Sequence, residues 1–330
     1  MKKKREFGVK LAKEGDLKSA EVIISDLAEK GDVDALNDLG VVFEKQFDYK
    51  KAFGCYVQAA VLGSVTAIYN VGHMLEKGLG VKTDVVKAMQ HYARAMDLGY
   101  PEAFYKMAML LGRYGEHSDK EIIELLEQGS ELEKNFGSLY SCSAELGCRY
   151  EFGNGVEENI DKALEYYEKA ASKGCTLAMF NAGLKYLHRE GSVEKGIEYL
   201  TKAAESGYPD ACAELAMAYY NGNGVEKDIT LSAYYLNKGR SLNSPRARLY
   251  YIDLALSGDI KVSKEELEEE LNMFLSHEWA SDYDWLYNQI KEEHKDGLDW
   301  TKIENDHFFN DYDYDDCDEY LDCGDSKYWG

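Results

Sequence analysis

Proline is scarce in this chain, with three prolines in 330 residues, whereas alanine, leucine, glutamate and lysine are common. An all-β protein with many turns would contain more proline, so this composition favours helix. The chain also lacks a run of about 20 apolar residues, the length needed to cross a bilayer. No apolar stretch typical of a signal peptide follows the basic residues 2–5. We therefore expect an all-α protein that does not insert into a membrane.

Basic residues are in the minority, since 38 lysines and arginines face 61 aspartates and glutamates and give a net charge of −23. A sequence-independent nucleic-acid binder needs a basic surface, so we expect no nucleic-acid partner. Attachment to an anionic membrane surface is equally disfavoured. Residues 259–330 contain 23 acidic and 6 basic side chains, which marks the C-terminal region as compositionally distinct.

Cysteine is sparse, odd in number and irregularly placed, without the regular pairing of a disulfide framework. Reduced thiols and a cytoplasmic location are therefore expected. The seven positions are Cys55, Cys142, Cys148, Cys175, Cys212, Cys317 and Cys323.

A glycine or asparagine recurs after a helical pattern in steps of 32 to 38 residues. Such a residue permits the left-handed conformation that ends many helices. A period of this length is typical of stacked helical hairpins. We call these positions the anchors: Gly31, Gly63, Gly99, Gly137, Gly174, Gly207 and Asn243.

Two further marks share the phase of the anchors. Each of the three prolines follows an anchor by two residues, which predicts a helix beginning there, because proline is favoured in a first turn. A small residue lies nine residues after most anchors and predicts a close helix crossing. These small residues are Gly40, Gly72, Ala108, Gly183 and Ala216, with Gly147 displaced by one.

Three repeats contain a Gly-x-Gly-Val loop, followed three residues later by an N-cap residue: Asp84, Asn159 or Asp228. A phosphate-binding glycine loop must follow a strand, whereas these loops join two predicted helices. We interpret them as turns inside helical hairpins. They begin at Gly78, Gly153 and Gly222.

The combination of small residue, Gly-x-Gly-Val loop, N-cap, Lys-Ala, Tyr-Tyr, Ala-Ala and anchor resembles the Sel-one-like repeat family, a relative of the tetratricopeptide repeat. The resemblance covers roughly residues 15–257 and is strongest over 66–99, 142–174 and 211–243. It implies a right-handed α/α superhelix, or solenoid, of six to seven helix pairs. It also implies an adaptor or scaffold whose concave surface, lined by the first helix of each pair, binds a peptide or helix of a protein partner.

No catalytic constellation is apparent, so we expect no enzyme activity and no small-molecule cofactor. The histidines do not form a His-Glu-x-x-His motif, and no cysteine pair suggests zinc. No nucleophile with its own base can be identified from spacing. The in-phase tyrosines of the second helices are interpreted as core residues: Tyr92, Tyr166, Tyr167, Tyr199 and Tyr235.

Polar and aromatic residues two or three positions before the small residue vary in charge between repeats, which fits either a ligand-facing row or an ordinary solvated face. His73, one position after Gly72, lies on the same predicted helix face. We name the candidate partner-binding residues the first-helix row: Asn37, Asp38, Tyr69, Asn70, His73, Tyr105, Lys106, Phe180, Asn181 and Glu214.

The predicted division is an N-terminal cap over residues 1–30, a repeat array over 31–258, a helical cap over 259–297 and a flexible acidic tail over 298–330. The cap should contain a helix opened by Ser263. The tail has partial calcium-loop spacing, but Asp316 occupies the position that requires glycine. Two alternatives to an adaptor remain: an enzyme with an unrecognised site, and an inhibitor that binds a basic partner through this tail.

Overall fold

The computed structural model describes residues 2–114, 118–133, 141–189, 191–276, 280–295, 298 and 300. Within these ranges the chain forms seventeen α-helices and one short 3-10 helix, without a strand. The predicted all-α class is therefore confirmed. None of these helices combines the length and the apolar composition that a membrane crossing requires.

Successive helices are of similar length, about three to four turns each. Their bounds are α1 Lys2–Lys13, α2 Leu17–Glu29, α3 Val33–Lys45, α4 Tyr49–Val61, α5 Val65–Lys77, α6 Val85–Asp97, α7 Pro101–Tyr114, α8 Asp119–Leu132, α9 Cys142–Phe152, α10 Ile160–Ser172, α11 Thr176–Leu187, α12 Val193–Glu205, α13 Pro209–Asn221, α14 Ile229–Ser241, α15 Pro245–Leu256, α16 Lys264–Leu275 and α17 Asp284–Glu293. The 3-10 helix Ala280–Tyr283 precedes α17.

The anchors end the second helix of each hairpin, as predicted. All six described anchors have a positive φ, between 62° and 95°, and Asn243 is one of only two non-glycine residues with that conformation in the described chain. Helices α7, α13 and α15 begin at Pro101, Pro209 and Pro245 respectively. The six hairpins between the anchors are α3/α4, α5/α6, α7/α8, α9/α10, α11/α12 and α13/α14.

In three hairpins the small residue of the first helix faces a large side chain of the second helix. A Cβ atom built on Gly40 would lie 2.5 Å from the Tyr56 ring, and one on Gly72 would lie 3.0 Å from the Tyr92 ring. In α11/α12 the facing residue is a leucine, Leu200. At the predicted close crossing, a tyrosine or leucine side chain of the second helix therefore packs directly against the glycine. This packing stabilises the hairpin.

Each Gly-x-Gly-Val loop is a turn between two helices, and the expected N-cap side chains accept hydrogen bonds from the first turn of the next helix. The second glycine of the loop contacts the preceding hairpin. A Cβ on Gly80 would lie 2.4 Å from the main chain of Tyr49, at the start of α4. A Cβ on Gly224 would lie 2.4 Å from Val193, at the start of α12. The loop therefore sets the distance between successive hairpins.

The chain forms two compact units. The first contains α1 to α8 and most of α9, and the second contains the last three residues of α9 and the described residues from Asn159 onward. The core of the first unit runs through α1 to α7 and includes Tyr56 and Tyr92. In the second unit, α15, α16 and α17 share a core that includes Phe274 and Trp300.

The helix predicted to begin after Ser263 is present as α16. Ser263 is the N-cap of α16, and its hydroxyl accepts a hydrogen bond from the main-chain N–H of Glu266 at 3.1 Å. At the opposite end of the chain, α1 packs against α2, and a Cβ on Gly8 would lie 2.7 Å from Ile24. None of the five described cysteines is in a disulfide.

Several sequence interpretations lie outside the described residues. These are the anchor Gly137, part of the loop after Gly112, His117, His277, His307, Cys317, Cys323, the calcium-like spacing and almost all of the acidic tail.

Candidate functional site: the first-helix row and its supporting contacts

A buried tyrosine of the second helix hydrogen-bonds a glutamate of the first helix in three hairpins. The Tyr56 hydroxyl donates to Glu44 at 2.8 Å, and the Tyr92 hydroxyl donates to Glu76 at 2.6 Å. Burial raises the pKa of both phenols, which keeps them protonated and able to donate. The third pair is Tyr167 and Glu151, at 2.7 Å. Glu44 and Glu76 therefore hold the Tyr56 and Tyr92 rings over Gly40 and Gly72.

The same glutamates, or neighbouring polar residues, also join the first helices of consecutive hairpins. In the first unit the Asn70 amide donates to the Asn37 side chain at 3.0 Å, between α5 and α3. The Lys106 ammonium lies 3.8 Å from Glu76, between α7 and α5. A line of polar contacts therefore runs across three first helices, α3, α5 and α7.

Equivalent contacts occur in the second unit. Lys185 of α11 is ion-paired with Glu151, and Arg246 of α15 is ion-paired with Glu214 of α13. Arg246 has 7% of its surface exposed, and its guanidinium lies 5.8 Å from the Tyr283 ring centroid. Removing one partner of such a buried pair leaves an uncompensated charge, which is strongly destabilising. Glu214 is thus half-exposed and at the same time part of the ion pair that joins α13 to α15.

Asp38 lies at the α3 end of the line in the first unit. Its carboxylate lies 3.8 Å from Arg5 Nε of α1. Burial nevertheless raises the pKa of Asp38, because desolvation outweighs the attraction of Arg5. This end of the row therefore offers a partly desolvated carboxylate adjacent in sequence to Asn37, whose side chain is hydrogen-bonded to Asn70.

His73 is half-buried on α5, one turn from Asn70. Burial lowers the pKa of His73, and the positive charge of Lys106 lowers it further. The imidazole is consequently neutral at pH 7, and it can both donate and accept a hydrogen bond. Together with Asn70 and Lys106 it gives α5 and α7 donors and acceptors of different kinds.

The predicted aromatic members of the row are largely interior. Tyr105 and Phe180 are each 4% exposed. The Phe180 ring packs against Tyr208 with centroids 4.8 Å apart. Tyr69 is half-buried, and its ring centroid lies 5.4 Å from that of Tyr92 and 5.1 Å from that of Tyr100. Asn37 is buried as well. The half-exposed polar members of the row are Asp38, Asn70, His73, Lys106, Asn181 and Glu214.

The in-phase tyrosines divide into two kinds. Tyr92 and Tyr167 are fully buried, as predicted for core residues. The others are half-buried and stack on a first-helix tyrosine with nearly parallel rings, at 6° to 9° and 5.6 to 6.1 Å between centroids. These stacked pairs are Tyr150–Tyr166, Tyr186–Tyr199 and Tyr219–Tyr235.

Three of the five described cysteines do not have the environment of an activated nucleophile. Desolvation raises the pKa of Cys55, Cys142 and Cys212, so these thiols remain protonated at neutral pH. A catalytic or redox-active cysteine requires the opposite shift, from a nearby cation or a helix N-terminus. The cysteine version of the enzyme alternative is therefore not favoured for these three residues.

The chain is similar to two kinds of curated protein. The chain is 33% identical over 125 residues to the ERAD-associated E3 ubiquitin-protein ligase component HRD3A of Arabidopsis thaliana, covering 34% of this chain and 18% of that protein. It is 27% identical over 218 residues to the chitin synthase regulator SKT5 of Saccharomyces cerevisiae, covering 52% and 31%. These matches span about a fifth to a third of the relatives' length.

Solved structures support the fold. A protective antigen of uropathogenic Escherichia coli that displays an SLR fold superposes with a TM-score of 0.65 at 22% identity, covering 86% of this chain and 61% of that one. A Sel1 repeat protein from Oxalobacter formigenes gives a TM-score of 0.60 at 26% identity, covering 72% and 99%. The Sel1 repeat model matches residues 33–64, 65–100, 141–175, 176–208 and 209–244, just over half of the sequence. The chain belongs to the Sel1 repeat family.

Proposed function

We propose that this chain is an adaptor without catalytic activity, which binds a peptide or helix of a protein partner along the first-helix row. The half-exposed members on α5 and α7, Asn70, His73 and Lys106, form the centre of the contact. The acidic balance of the chain favours protein over nucleic acid as the partner.

One observation carries this proposal. The second-helix tyrosines Tyr56, Tyr92 and Tyr167 have the same role and are fully buried. The polar first-helix residues two positions before the small residue differ from hairpin to hairpin and are half-exposed: Asp38, Asn70, Lys106, Asn181 and Glu214. Packing alone does not require that variety. A row of different donors, acceptors and charges on a rigid scaffold is what recognition of one particular partner requires.

The contacts within the row favour a pre-organised surface. Asn70 is held by Asn37, and Lys106 by Glu76, so their side chains lose little conformational freedom when a partner binds. An asparagine amide provides a donor and an acceptor, which matches the main chain of an extended peptide. The names of the relatives, a ligase component and an enzyme regulator, support an accessory role.

The test compares row variants with a matched surface variant. Asn70→Ala and Lys106→Ala remove row side chains, and Lys120→Ala removes a lysine from α8 whose side chain is 85% exposed. The partner is first identified by cross-linking in the source cells, and its affinity for each purified variant is then measured by calorimetry. We expect both row variants to weaken binding at least tenfold and Lys120→Ala to leave the affinity unchanged.

Equal affinity of the parent and of both row variants, with unchanged helical content, would exclude the first-helix row as the binding surface. A variant that loses helical content is replaced by Asn70→Asp or Lys106→Gln, which preserve side-chain size. A substrate turned over by the purified chain would contradict the absence of catalysis.

A further inference from the structure

Three side chains that can bind a metal ion meet where α17 packs near α15. Asp253 lies on α15, Glu293 is the last residue of α17, and His294 is its C-cap. One ligand atom from each residue lies within 4.8 Å of the other two. His294 Nε2 and Asp253 Oδ1 are 2.9 Å apart.

We propose that Asp253, Glu293 and His294 form a binding site for a divalent transition-metal ion, with Zn²⁺ as the best match. Imidazole nitrogen and carboxylate oxygen are its usual ligands, at about 2.0–2.2 Å. Two ligands of a tetrahedral ion at that distance are roughly 3.3 Å apart, so the pair at 2.9 Å needs only a small opening. The histidine disfavours Ca²⁺ and Mg²⁺, which take oxygen ligands.

Neighbouring side chains hold the main chain around the site in place. The indole N–H of Trp300, which is 5% exposed, donates to the main-chain carbonyl of His294 at 3.0 Å. The Glu293 carboxylate accepts a hydrogen bond from Gln289 at 2.9 Å. The adjacent lysine, Lys295, is ion-paired with Glu292 at 2.6 Å and so lies against a different carboxylate.

A hydrogen-bonded latch between α15 and α17 would need only Asp253 and His294. The third group argues for a cation, because Glu293 and Asp253 are like charges whose ligand oxygens lie within 4.8 Å of each other. A bound divalent ion converts that repulsion into attraction and joins α15 to α17. Spacing in the sequence does not reveal the site, since Asp253 and His294 are 41 residues apart.

The experiment measures Zn²⁺ binding to the tag-free, full-length chain by calorimetry, with Co²⁺ absorption as a report on ligand type. Glu293→Gln and His294→Ala test the site. Glu292→Gln removes the neighbouring carboxylate, and His188→Ala removes an exposed histidine elsewhere, so both are matched controls. The full chain also contains the aspartate-rich tail, and any Zn²⁺ binding that remains in His294→Ala reports binding outside the proposed site.

We expect the parent and both controls to bind one Zn²⁺ more than His294→Ala, and Glu293→Gln to bind that ion at least tenfold more weakly. Zn²⁺ at a hundredfold excess over its dissociation constant should raise the midpoint of thermal unfolding by about 5 °C in the parent and controls only. Unchanged stoichiometry and affinity in Glu293→Gln and His294→Ala, or no binding by the parent, would overturn the proposal and leave a hydrogen-bonded latch.

Discussion

Two explanations of Gly40 predict opposite effects of Gly40→Ala on the free energy of unfolding. In a helix interior, Gly→Ala normally stabilises by about 1 kcal/mol, through backbone entropy alone. If Gly40 is instead the seat of the Tyr56 ring, the new Cβ lies 2.5 Å from a ring carbon, closer than real Cβ contacts come. The ring is fixed at its far end by its hydrogen bond to Glu44, so α3 and α4 must separate.

Overpacking of this kind costs about 1–3 kcal/mol, and the short contact with a fixed ring places it at the upper end. After subtraction of the propensity gain, we expect Gly40→Ala to lower the free energy of unfolding by about 1–2 kcal/mol. Gly54 on α4 is the matched control, because a Cβ there meets no atom within 4 Å. Gly54→Ala should therefore stabilise by about 0.5–1 kcal/mol.

Urea denaturation followed by circular dichroism at 222 nm measures both variants under the same conditions. Because one substitution stabilises and the other destabilises, the two midpoints should lie on opposite sides of the parent's. If Gly40→Ala stabilises as much as Gly54→Ala, the ring does not rest on the glycine and the packing argument is wrong.

Three further predictions concern the hairpins of the first unit. Gly80→Ala should lower the free energy of unfolding by about 2 kcal/mol or more, because it combines a positive φ with a Cβ 2.4 Å from the Tyr49 main chain. Gly99 also has a positive φ, but a Cβ there meets no atom within 4 Å, so Gly99→Ala should cost only about 1 kcal/mol in the same urea denaturation. Tyr92→Phe should lower the free energy of unfolding by about 1.5–3 kcal/mol, since it deprives the Glu76 carboxylate of a donor; no change would show that water replaces the phenol. Burial raises the pKa of Glu102 above its ordinary value of 4.5, so folding favours the protonated carboxyl. As the pH rises above 4.5 through the folded pKa, the folded protein must hold a desolvated carboxylate, and the free energy of unfolding falls. Glu102→Gln should accordingly raise the urea midpoint at pH 7, with a gain that shrinks toward pH 4.5; a constant gain would contradict the shift.

The repeat architecture could be predicted because its marks are local. Positive φ at the anchors, proline in the first turn after Tyr100, Tyr208 and Ser244, and N-cap side chains such as Asp84 all act within a few residues of sequence. Each has one strong physical cause, and their shared phase gives the hairpin register.

The contacts between repeats could not be predicted in the same way. Asn37 and Asn70 are 33 residues apart, and Glu76 and Lys106 are 30 apart, so their pairing depends on how neighbouring hairpins pack. The Tyr92–Glu76 pair left a weaker signal, because a glutamate lies four residues after the small residue in three hairpins. A polar residue in phase on a first helix looks the same in sequence whether it supports a neighbour or faces a ligand.

The burial of the aromatic members of the first-helix row could not be predicted from the sequence either. Phe180 follows the pattern of an exposed hot-spot residue, yet it is buried against Tyr208. One helix position corresponds to about 100° of rotation, so a residue next to a half-exposed one can lie fully in the core. Asn181, its neighbour, is half-exposed.

Site-specific photo-cross-linking in cells tests the partner-binding role of the first-helix row most directly. A photoreactive amino acid is placed at Asn70 or Lys106 in the row, and at Lys120 on α8 as the control. A partner protein that binds the row is expected to be captured, as the same single band, from the first two positions and not from the third. Capture from Lys120 alone would contradict this account.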